Sequence, residues 1–152
     1  MPRPAPLAIV QADPHQPTAM QRFTLLLPLL LAACAMAPAS RPVLSTPPTD
    51  AANSSSQTLG AIDLGPEVNL PGYQLRARAV TIQPGGYVAV HTHRGRPTQE
   101  YVAQGTVIEI RNGQPIEHKA GEMVIAGNGV THWWENHGTV PVVLVPVDVV
   151  KP

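Results

Sequence analysis

The chain has 152 residues, of which 18 are proline, 4% are aromatic and 13% are charged. Ten basic and ten acidic side chains give a formal net charge of zero, which excludes the dense positive surface that nucleic-acid binding requires. The length is enough for one folded domain. Because there is only one cysteine, an internal disulfide is excluded, and stability must come from packing, strand pairing and, where present, a metal ion.

The first third of the chain has the layout of an export signal. A segment with Arg22 precedes a nine-residue apolar run at residues 23–31, which is too short for a transmembrane helix of about 20 residues. The run ends in Leu31-Ala32-Ala33-Cys34, which resembles the lipobox of bacterial lipoproteins and implies cleavage before Cys34 and lipidation of its thiol. An ordinary secretory signal cleaved near residues 35–37 is the alternative, and Met20 rather than Met1 is the expected start.

Residues 35–58 are predicted to form a flexible linker. They are rich in Pro, Ala, Ser and Thr, a composition that buries too little apolar surface to offset the entropy of ordering. Attached to a lipid at Cys34, the linker would hold a domain clear of the membrane. The predicted organisation is an export signal at 1–34, the linker at 35–58 and a folded domain at 59–152. The expected location is the periplasm or outer membrane of a Gram-negative bacterium.

The pattern after residue 59 is one of short strands separated by turns. Residues 74–82 alternate, with Leu75 and Ala77 on the face opposite to Arg76 and Arg78, which predicts a half-buried strand. A turn is predicted at Pro84-Gly85-Gly86, and Asn112-Gly113 is a strong hairpin signal. Further strands are predicted at residues 87–93, 98–104, 106–111, 122–125, 130–135 and 140–150. This series without helical periodicity predicts an all-β sandwich or barrel.

Three histidines are the candidate metal ligands. His91 and His93, two positions apart on a predicted strand, share one face of it, and His132 can complete the set from a neighbouring strand. By the same alternation Tyr87 shares the face of His91, and Trp134 shares that of His132. Both aromatic residues are therefore candidates for the wall of a substrate pocket, although Trp134 is equally well explained as a core aromatic.

These residues resemble the two sequence motifs of the cupin superfamily. The first motif is matched in spacing by Gly85, His91, His93 and Gly105. The second motif is matched by Gly121, Gly129, His132 and Asn136, with Gly127 in place of the usual proline. The resemblance covers most of the predicted domain and implies a single jelly-roll β-barrel that holds a metal ion in its open end. It also implies that Asn136 fixes the turn after its strand.

The metal-binding glutamate of the family is where this sequence departs from the motif. Its position falls at Thr98, and Glu100 lies two residues further along the same strand face. Two ligand sets stay open. Either the three histidines bind alone, with Glu100 as an acid or base beside the metal, or a bulge or register shift brings Glu100 in as a fourth ligand. The first set is the preferred expectation, and one divalent ion among Fe, Mn, Zn, Ni and Cu is expected.

The resemblance implies a small-molecule metalloenzyme of the cell envelope with dioxygenase-like or isomerase-like chemistry. A non-catalytic module that holds a metal or a small ligand is the alternative. A structural metal is disfavoured, because structural sites usually have four protein ligands. No nucleic-acid partner is expected, and membrane contact is expected only through the lipid.

The remaining predictions concern residues at the expected surface of the domain. Arg94 and Arg96 could meet an anionic substrate, although arginines in loops are commonly solvated. His118 and His137 are expected in solvated turns or surface strands. The valine-rich residues 142–150 are predicted to form an exposed sheet edge, through which the protein could form a homodimer.

Overall fold

The computed structural model describes residues 42–152. In this range it contains eight strands and one short helix: β1 (Ala52–Asp63), α1 (Leu64–Val68), β2 (Gln74–Thr92), β3 (Thr98–Gln104), β4 (Thr106–Arg111), β5 (Gln114–Lys119), β6 (Met123–Ala126), β7 (Thr131–Glu135) and β8 (Val142–Val150). The predicted all-β fold is confirmed. Within these residues no helix has the length and apolar character to cross a membrane. The export signal and Cys34 lie outside the described residues.

β2 is the strand that organises the sheet. Its first half pairs antiparallel with β8, and its second half pairs with β7. The strand order is β5-β4-β7-β2-β8-β3-β6, with β1 paired to β2, and the sheet curls into a nearly closed barrel. The Asn112-Gly113 hairpin is present as predicted, with both residues at positive φ and Arg111 opposite Gln114.

The bend in the middle of β2 takes the place of the turn predicted there. Gly85 has a φ of 74°, which side chains other than glycine adopt at a cost. Its N–H donates to the carbonyl of Asn136, and the Asn136 N–H donates to the carbonyl of Gly86. The Asn136 amide also donates to Val140 and accepts from the Gly138 N–H. One asparagine therefore fixes both the bend and the turn after β7.

An apolar core is formed by buried side chains from several strands of the barrel. Its buried members are Ile82, Val102, Val107, Val124, Trp134, Val142 and Leu144, with Val80 and Val88 packed against them. They come from six strands, so the core joins both halves of the bent sheet. Burial of such side chains contributes about 1.5–3 kcal/mol each.

The folded domain begins before residue 59. Residues 52–58, which the sequence assigns to the linker, instead form the first part of β1 and pair with β2. The chain touches the barrel even earlier, because the Val90 N–H donates to the carbonyl of Pro48. Serine and threonine side chains in this segment are compatible with an exposed edge strand, which needs backbone pairing more than side-chain burial.

Glu135 holds the segment before β1 against the barrel. Its carboxylate accepts from the backbone N–H of Leu44, at 3.2 Å, and from the indole N–H of Trp133, at 2.7 Å. His137 Nε2 lies 2.7 Å from the same carboxylate and its side chain is only 14% exposed. The expectation that His137 is solvated is therefore wrong.

The expected sheet edge at residues 142–150 is also wrong. β8 pairs with β2 on one side and with β3 on the other, so its backbone groups are used within the barrel. A valine-rich run is typical of an interior strand, so the composition of β8 agrees with its position between β2 and β3 better than with a position at the edge of the sheet. Homodimer formation stays a prediction, without support from this strand.

Gly86 is expected to be intolerant of any side chain. A Cβ atom there would lie 2.6 Å from the Asn53 carbonyl oxygen and 2.9 Å from that of Ala52, so the pairing of β1 with β2 would have to shift. Gly86→Ala should lower the free energy of unfolding by about 1–3 kcal/mol in urea denaturation. Gly60→Ala in β1 is the matched control, because nothing lies within 4 Å of its added Cβ. Equal stability of both variants would contradict this account.

Candidate metal centre and the adjoining cavity

Four side chains from three parts of the barrel converge on one point, namely His91, His93, Glu100 and His132. We refer to them as the ligand group. Each offers one ligand atom, and these atoms all lie within 4.8 Å of one another. The Nε2 atoms of His93 and His132 are 2.9 Å apart, and Glu100 Oε1 lies 3.5 Å and 3.8 Å from them. Ligand atoms around one ion at about 2.1 Å lie about 3–3.5 Å apart, so the group has the dimensions of a metal centre.

The other ring nitrogen of each histidine is already engaged. Nδ1 of His91 lies 2.9 Å from the carbonyl of Ala89, and Nδ1 of His93 lies 3.1 Å from that of Arg96. Since carbonyls only accept, both Nδ1 atoms carry the proton and both Nε2 atoms keep a lone pair. His132 Nδ1 is hydrogen-bonded to the carboxylate of Glu109. These partners fix ring orientation and tautomer, as is usual for metal-binding histidines.

Burial sets the protonation of the group. Loss of solvent lowers the pKa of both His91 and His93 to about 4, against the weaker opposing effect of their backbone hydrogen bonds. The two imidazoles are therefore neutral at pH 7, which is the form that binds metal. Burial raises the pKa of Glu100. A bound cation would act in the opposite direction and favour the carboxylate.

Glu109 was not identified from the sequence, although its carboxylate holds the imidazole ring of His132 in place. Its carboxylate bonds to His132, accepts from Arg111 Nε at 2.7 Å and lies 3.0 Å from His118 Nε2. Burial acts to raise the pKa of Glu109, but these hydrogen bonds outweigh it and hold the pKa at about 2. His118 is thus a half-buried partner of Glu109 and not a solvated residue. The available signal was that Glu109 shares a strand face with the buried Val107.

The structure brings Glu100, and not Thr98, into the ligand group. Both side chains lie on the buried face of β3. The hydroxyl of Thr98 donates to the carbonyl of Val147 at 3.1 Å, so it is used in holding β3 to β8. The preferred expectation of three histidines with Glu100 apart from them is therefore not what the geometry favours, because the Glu100 carboxylate lies among the imidazole nitrogens.

Tyr87 does not line the cavity beside the ligand group. Val88 pairs with Trp134 whereas His91 pairs with His132, so β2 carries one extra residue between these pairs. Such a bulge reverses the alternation of side chains along a strand. Tyr87 consequently lies on the side opposite to His91 and lines a separate depression near Glu135. The prediction for Tyr87 is wrong because strict alternation was assumed through the bulge.

A cavity of about 390 Å³ adjoins the ligand group. His91, Glu100 and Trp134 are among the residues that line it. The remaining lining residues are Ala51, Arg76, Arg78, Val80, Val88, Ala89, Arg96, Leu144 and Pro146. The ligand group therefore borders, through His91 and Glu100, a space large enough for a small organic molecule.

Arg76, Arg78 and Arg96 line this cavity and surround Asp148, a cluster that was not predicted from the sequence. Asp148 is fully buried and accepts from Arg76, Arg78 and Arg96 at 3.0, 3.4 and 2.7 Å. Arg76 and Arg78 thus occupy the inner face of β2, whereas the alternation was read as placing them opposite the buried face. Asp148 was the available signal, as the only charged residue in the apolar strand β8, because a buried charge requires a partner.

Comparison with known proteins agrees with this architecture. Residues 78–150 match the family model of the cupin domain. No protein of curated function is similar enough in sequence to match. Among solved structures, one from Thermotoga maritima described as a predicted oxalate decarboxylase has a TM-score of 0.54 at 19% identity, covering 70% of this chain and 95% of its own.

Two further structures are similar at comparable distance. A Klebsiella pneumoniae protein with a double-stranded β-helix domain has a TM-score of 0.53 at 20% identity, covering 73% of this chain and 83% of its own. A sugar phosphate isomerase of the cupin superfamily from Silicibacter pomeroyi has a TM-score of 0.52 at 19% identity, covering 66% and 61% respectively. At such identities the likeness concerns the fold alone.

The bent sheet, its nearly closed barrel and the His/Glu group are consistent with a jelly-roll barrel of the cupin type. The cupin domain that the family model matches spans residues 78–150.

The Asp148 cluster generates a prediction about stability. Burial acts to raise the pKa of Asp148, but hydrogen bonds from Arg76 and Arg96 and the charge of Arg78 outweigh it and lower the pKa below 3.8. Asp148→Asn should lower the free energy of unfolding by about 3 kcal/mol at neutral pH, because it leaves buried cations without their partner. Denaturation of the metal-free protein in urea measures the loss.

The pH dependence follows from the direction of that pKa. A carboxylate whose pKa is lowered by folding contributes stability above its unfolded pKa and loses it as the pH falls through the folded pKa. The difference between wild type and Asp148→Asn should thus be constant above about pH 5 and shrink below pH 3.8. Asp50→Asn, at an exposed position, should show neither effect. A difference that grows on acidification would contradict this assignment.

Proposed function

We propose that this cupin domain binds one divalent transition metal ion through His91, His93, Glu100 and His132 and acts as a small-molecule metalloenzyme. The observation that carries the proposal is the convergence of three imidazoles and one carboxyl group, whose ligand atoms all lie within 4.8 Å of one another. Their Nδ1 atoms are all engaged elsewhere, which leaves Nε2 for a metal. Burial of both Glu100 and His132 argues against a merely solvated cluster.

The cavity favours a catalytic role over a structural one. Manganese and iron, which accept mixed imidazole and carboxylate ligands, commonly bind six ligands, so four protein ligands leave positions for substrate. A bound ion would supply a Lewis acid that polarises a substrate oxygen. His91 and Glu100 border the cavity, so such positions would be reached from it. Dioxygenase-like or isomerase-like chemistry remains the proposed reaction class, because the fold alone does not select one.

The residues around the ligand group have distinct proposed roles. Trp134, Val88 and Leu144 form an apolar wall, which would limit the access of water to a bound substrate. Glu109 holds His132 by its Nδ1 proton and is itself held by Arg111. We therefore assign Glu109 as a positioning residue, which holds the ring of His132 in orientation without touching the ion.

The metal content of purified variants tests the ligand assignment. Wild-type protein is expected to bind one ion per chain, measured by elemental analysis after dialysis against Mn²⁺ or Zn²⁺. His132→Ala and Glu100→Gln should each lose stoichiometric metal, because each removes a direct ligand. Glu109→Gln should keep the ion with an affinity lower by about 10–100-fold, as expected for loss of a residue that orients a ligand.

Two variants serve as controls. His137→Ala removes a histidine that bonds to Glu135 away from the group, and Thr98→Val alters the motif position that the family fills with glutamate. Both should keep one ion per chain. Full metal content in Glu100→Gln would exclude Glu100 as a ligand and return the site to three histidines. The chelated wild-type protein should remain folded by circular dichroism, and its unfolding would instead identify a structural metal.

We also propose that the protein is exported and anchored to the envelope through lipid on Cys34. The motif Leu31-Ala32-Ala33-Cys34 supports this. Cys34→Ser should move the protein from the detergent-extracted membrane fraction to the soluble fraction in a bacterial host and abolish labelling by radioactive palmitate. Unchanged fractionation and labelling would contradict lipidation. Ala35→Ser is the matched control and should leave both unchanged.

A further inference from the structure

The arginine cluster carries more positive charge than its carboxylate partners neutralise. Arg76, Arg78 and Arg96 surround one fully buried carboxylate, Asp148, and among the residues that line the cavity Glu100 carries a further carboxyl group. Even with both carboxylates ionised, one positive charge is left over. If Glu100 is committed to a metal ion, the surplus at the arginines is larger. Excess charge of one sign in a cavity attracts ligands of the opposite sign.

Arg78 is the least satisfied of the three arginines. Arg76 forms two bonds to Asp148, at 3.2 and 3.0 Å, and Arg96 forms one of 2.7 Å. Among the described residues, Arg78 makes contacts of 3.4 Å to Asp148 and 3.5 Å to Ser56. Its Nε atom is buried and has no hydrogen-bond partner within residues 42–152. Its side chain is 22% exposed and lines the cavity, so its terminal nitrogens are available to a ligand.

Part of the cavity lining is apolar. Val80, Val88, Trp134 and Leu144 form this part, and they belong to the packed core or lie against it. Such a wall would suit the carbon skeleton of a ligand better than it would suit a free inorganic ion. The ligand group borders the same space through His91 and Glu100. The cavity therefore presents a cationic part, an apolar part and the candidate metal centre.

We propose that this cavity binds a small organic acid, with its carboxylate on Arg78 and Arg96 and its apolar body against Trp134 and Val88. Guanidinium groups suit this ligand because their paired N–H donors match the two oxygens of a carboxylate. The identification of the acid as a substrate rests on the proposed metalloenzyme function. Binding of the acid at the arginines does not, since none of them belongs to the ligand group.

Titration with benzoate and with benzamide, its neutral counterpart, tests the proposal. Binding is followed by the fluorescence of the tryptophans, one of which lines the cavity, and by calorimetry. Benzoate should bind to both metal-free and metal-loaded protein, at least tenfold more tightly than benzamide, because only the anion makes charge-assisted hydrogen bonds. Equal affinities for the two probes, or no binding of benzoate, would overturn the proposal.

Variants locate the binding site. Arg78→Gln should weaken benzoate binding about tenfold, and Arg78→Lys should fall between that variant and wild type, because it keeps the charge but loses the paired donors. Arg94→Gln is the control, since Arg94 is exposed and does not line the cavity. An equal loss in Arg94→Gln, or none in Arg78→Gln, would overturn the assignment. Should Arg78→Gln fail to fold, the benzoate and benzamide comparison still decides.

The outcome is separable from that of the metal experiment. If the protein binds metal but shows no preference for benzoate, the metal centre is supported and the organic-acid proposal is contradicted. If the protein prefers benzoate but binds no metal, the anion site is supported and the metalloenzyme proposal is contradicted. Benzoate displaced by inorganic phosphate at equal concentration would also count against a site built for an organic acid, because phosphate makes no use of the apolar wall.

Discussion

The structure depends on the pairing of charged groups inside a barrel that excludes water. Asp148 and Glu109 are almost fully buried, and an ionised carboxylate without a partner there would cost several kcal/mol. Each therefore has defined partners. Asp148 meets arginines from β2 and the following loop, and Glu109 meets His132, Arg111 and His118. These pairings fix the relative positions of the strands as well as the protonation states of the site.

β2 carries the geometry on which the site depends. Because β2 bends, its first half pairs with β8 and its second half pairs with β7. Arg76 and Arg78 therefore lie on the first half, and His91 lies on the second half of the same strand. The bulge between Val88 and His91 then sets which side chains point inward. Without it, Tyr87 would share the face of His91. A one-residue irregularity thus decides that the cavity is walled by Val88 and not by tyrosine.

The arrangement separates two chemical tasks within one space. The ligand group consists of three imidazoles and one carboxyl group, whereas the arginines carry the surplus positive charge. The apolar residues that line the same cavity belong to the core that stabilises the barrel or pack against it. Recognition and chemistry would therefore both depend on the packing of Trp134 and Leu144, and changes in this part of the core would alter the cavity together with the stability.

The class of fold and three members of the ligand group could be predicted from the amino-acid sequence. Alternating strands, the Asn112-Gly113 turn and the spacing of His91, His93 and His132 are local patterns, and local patterns are readable because strand geometry repeats every two residues. The role of Asn136 could also be inferred, since its motif places it directly after β7.

The buried faces of the strands, and the contacts between residues far apart in the sequence, could be identified only from the three-dimensional structure. Glu100 enters the ligand group, Glu109 supports His132 from β4, and Asp148 draws Arg76 and Arg78 inward, and all three depend on the pairing of strands far apart in sequence. The position of β8 between β2 and β3 likewise follows from the order of the sheet. Register, bulges and strand order are set by the balance of all contacts in the barrel, and no single segment of sequence contains that information.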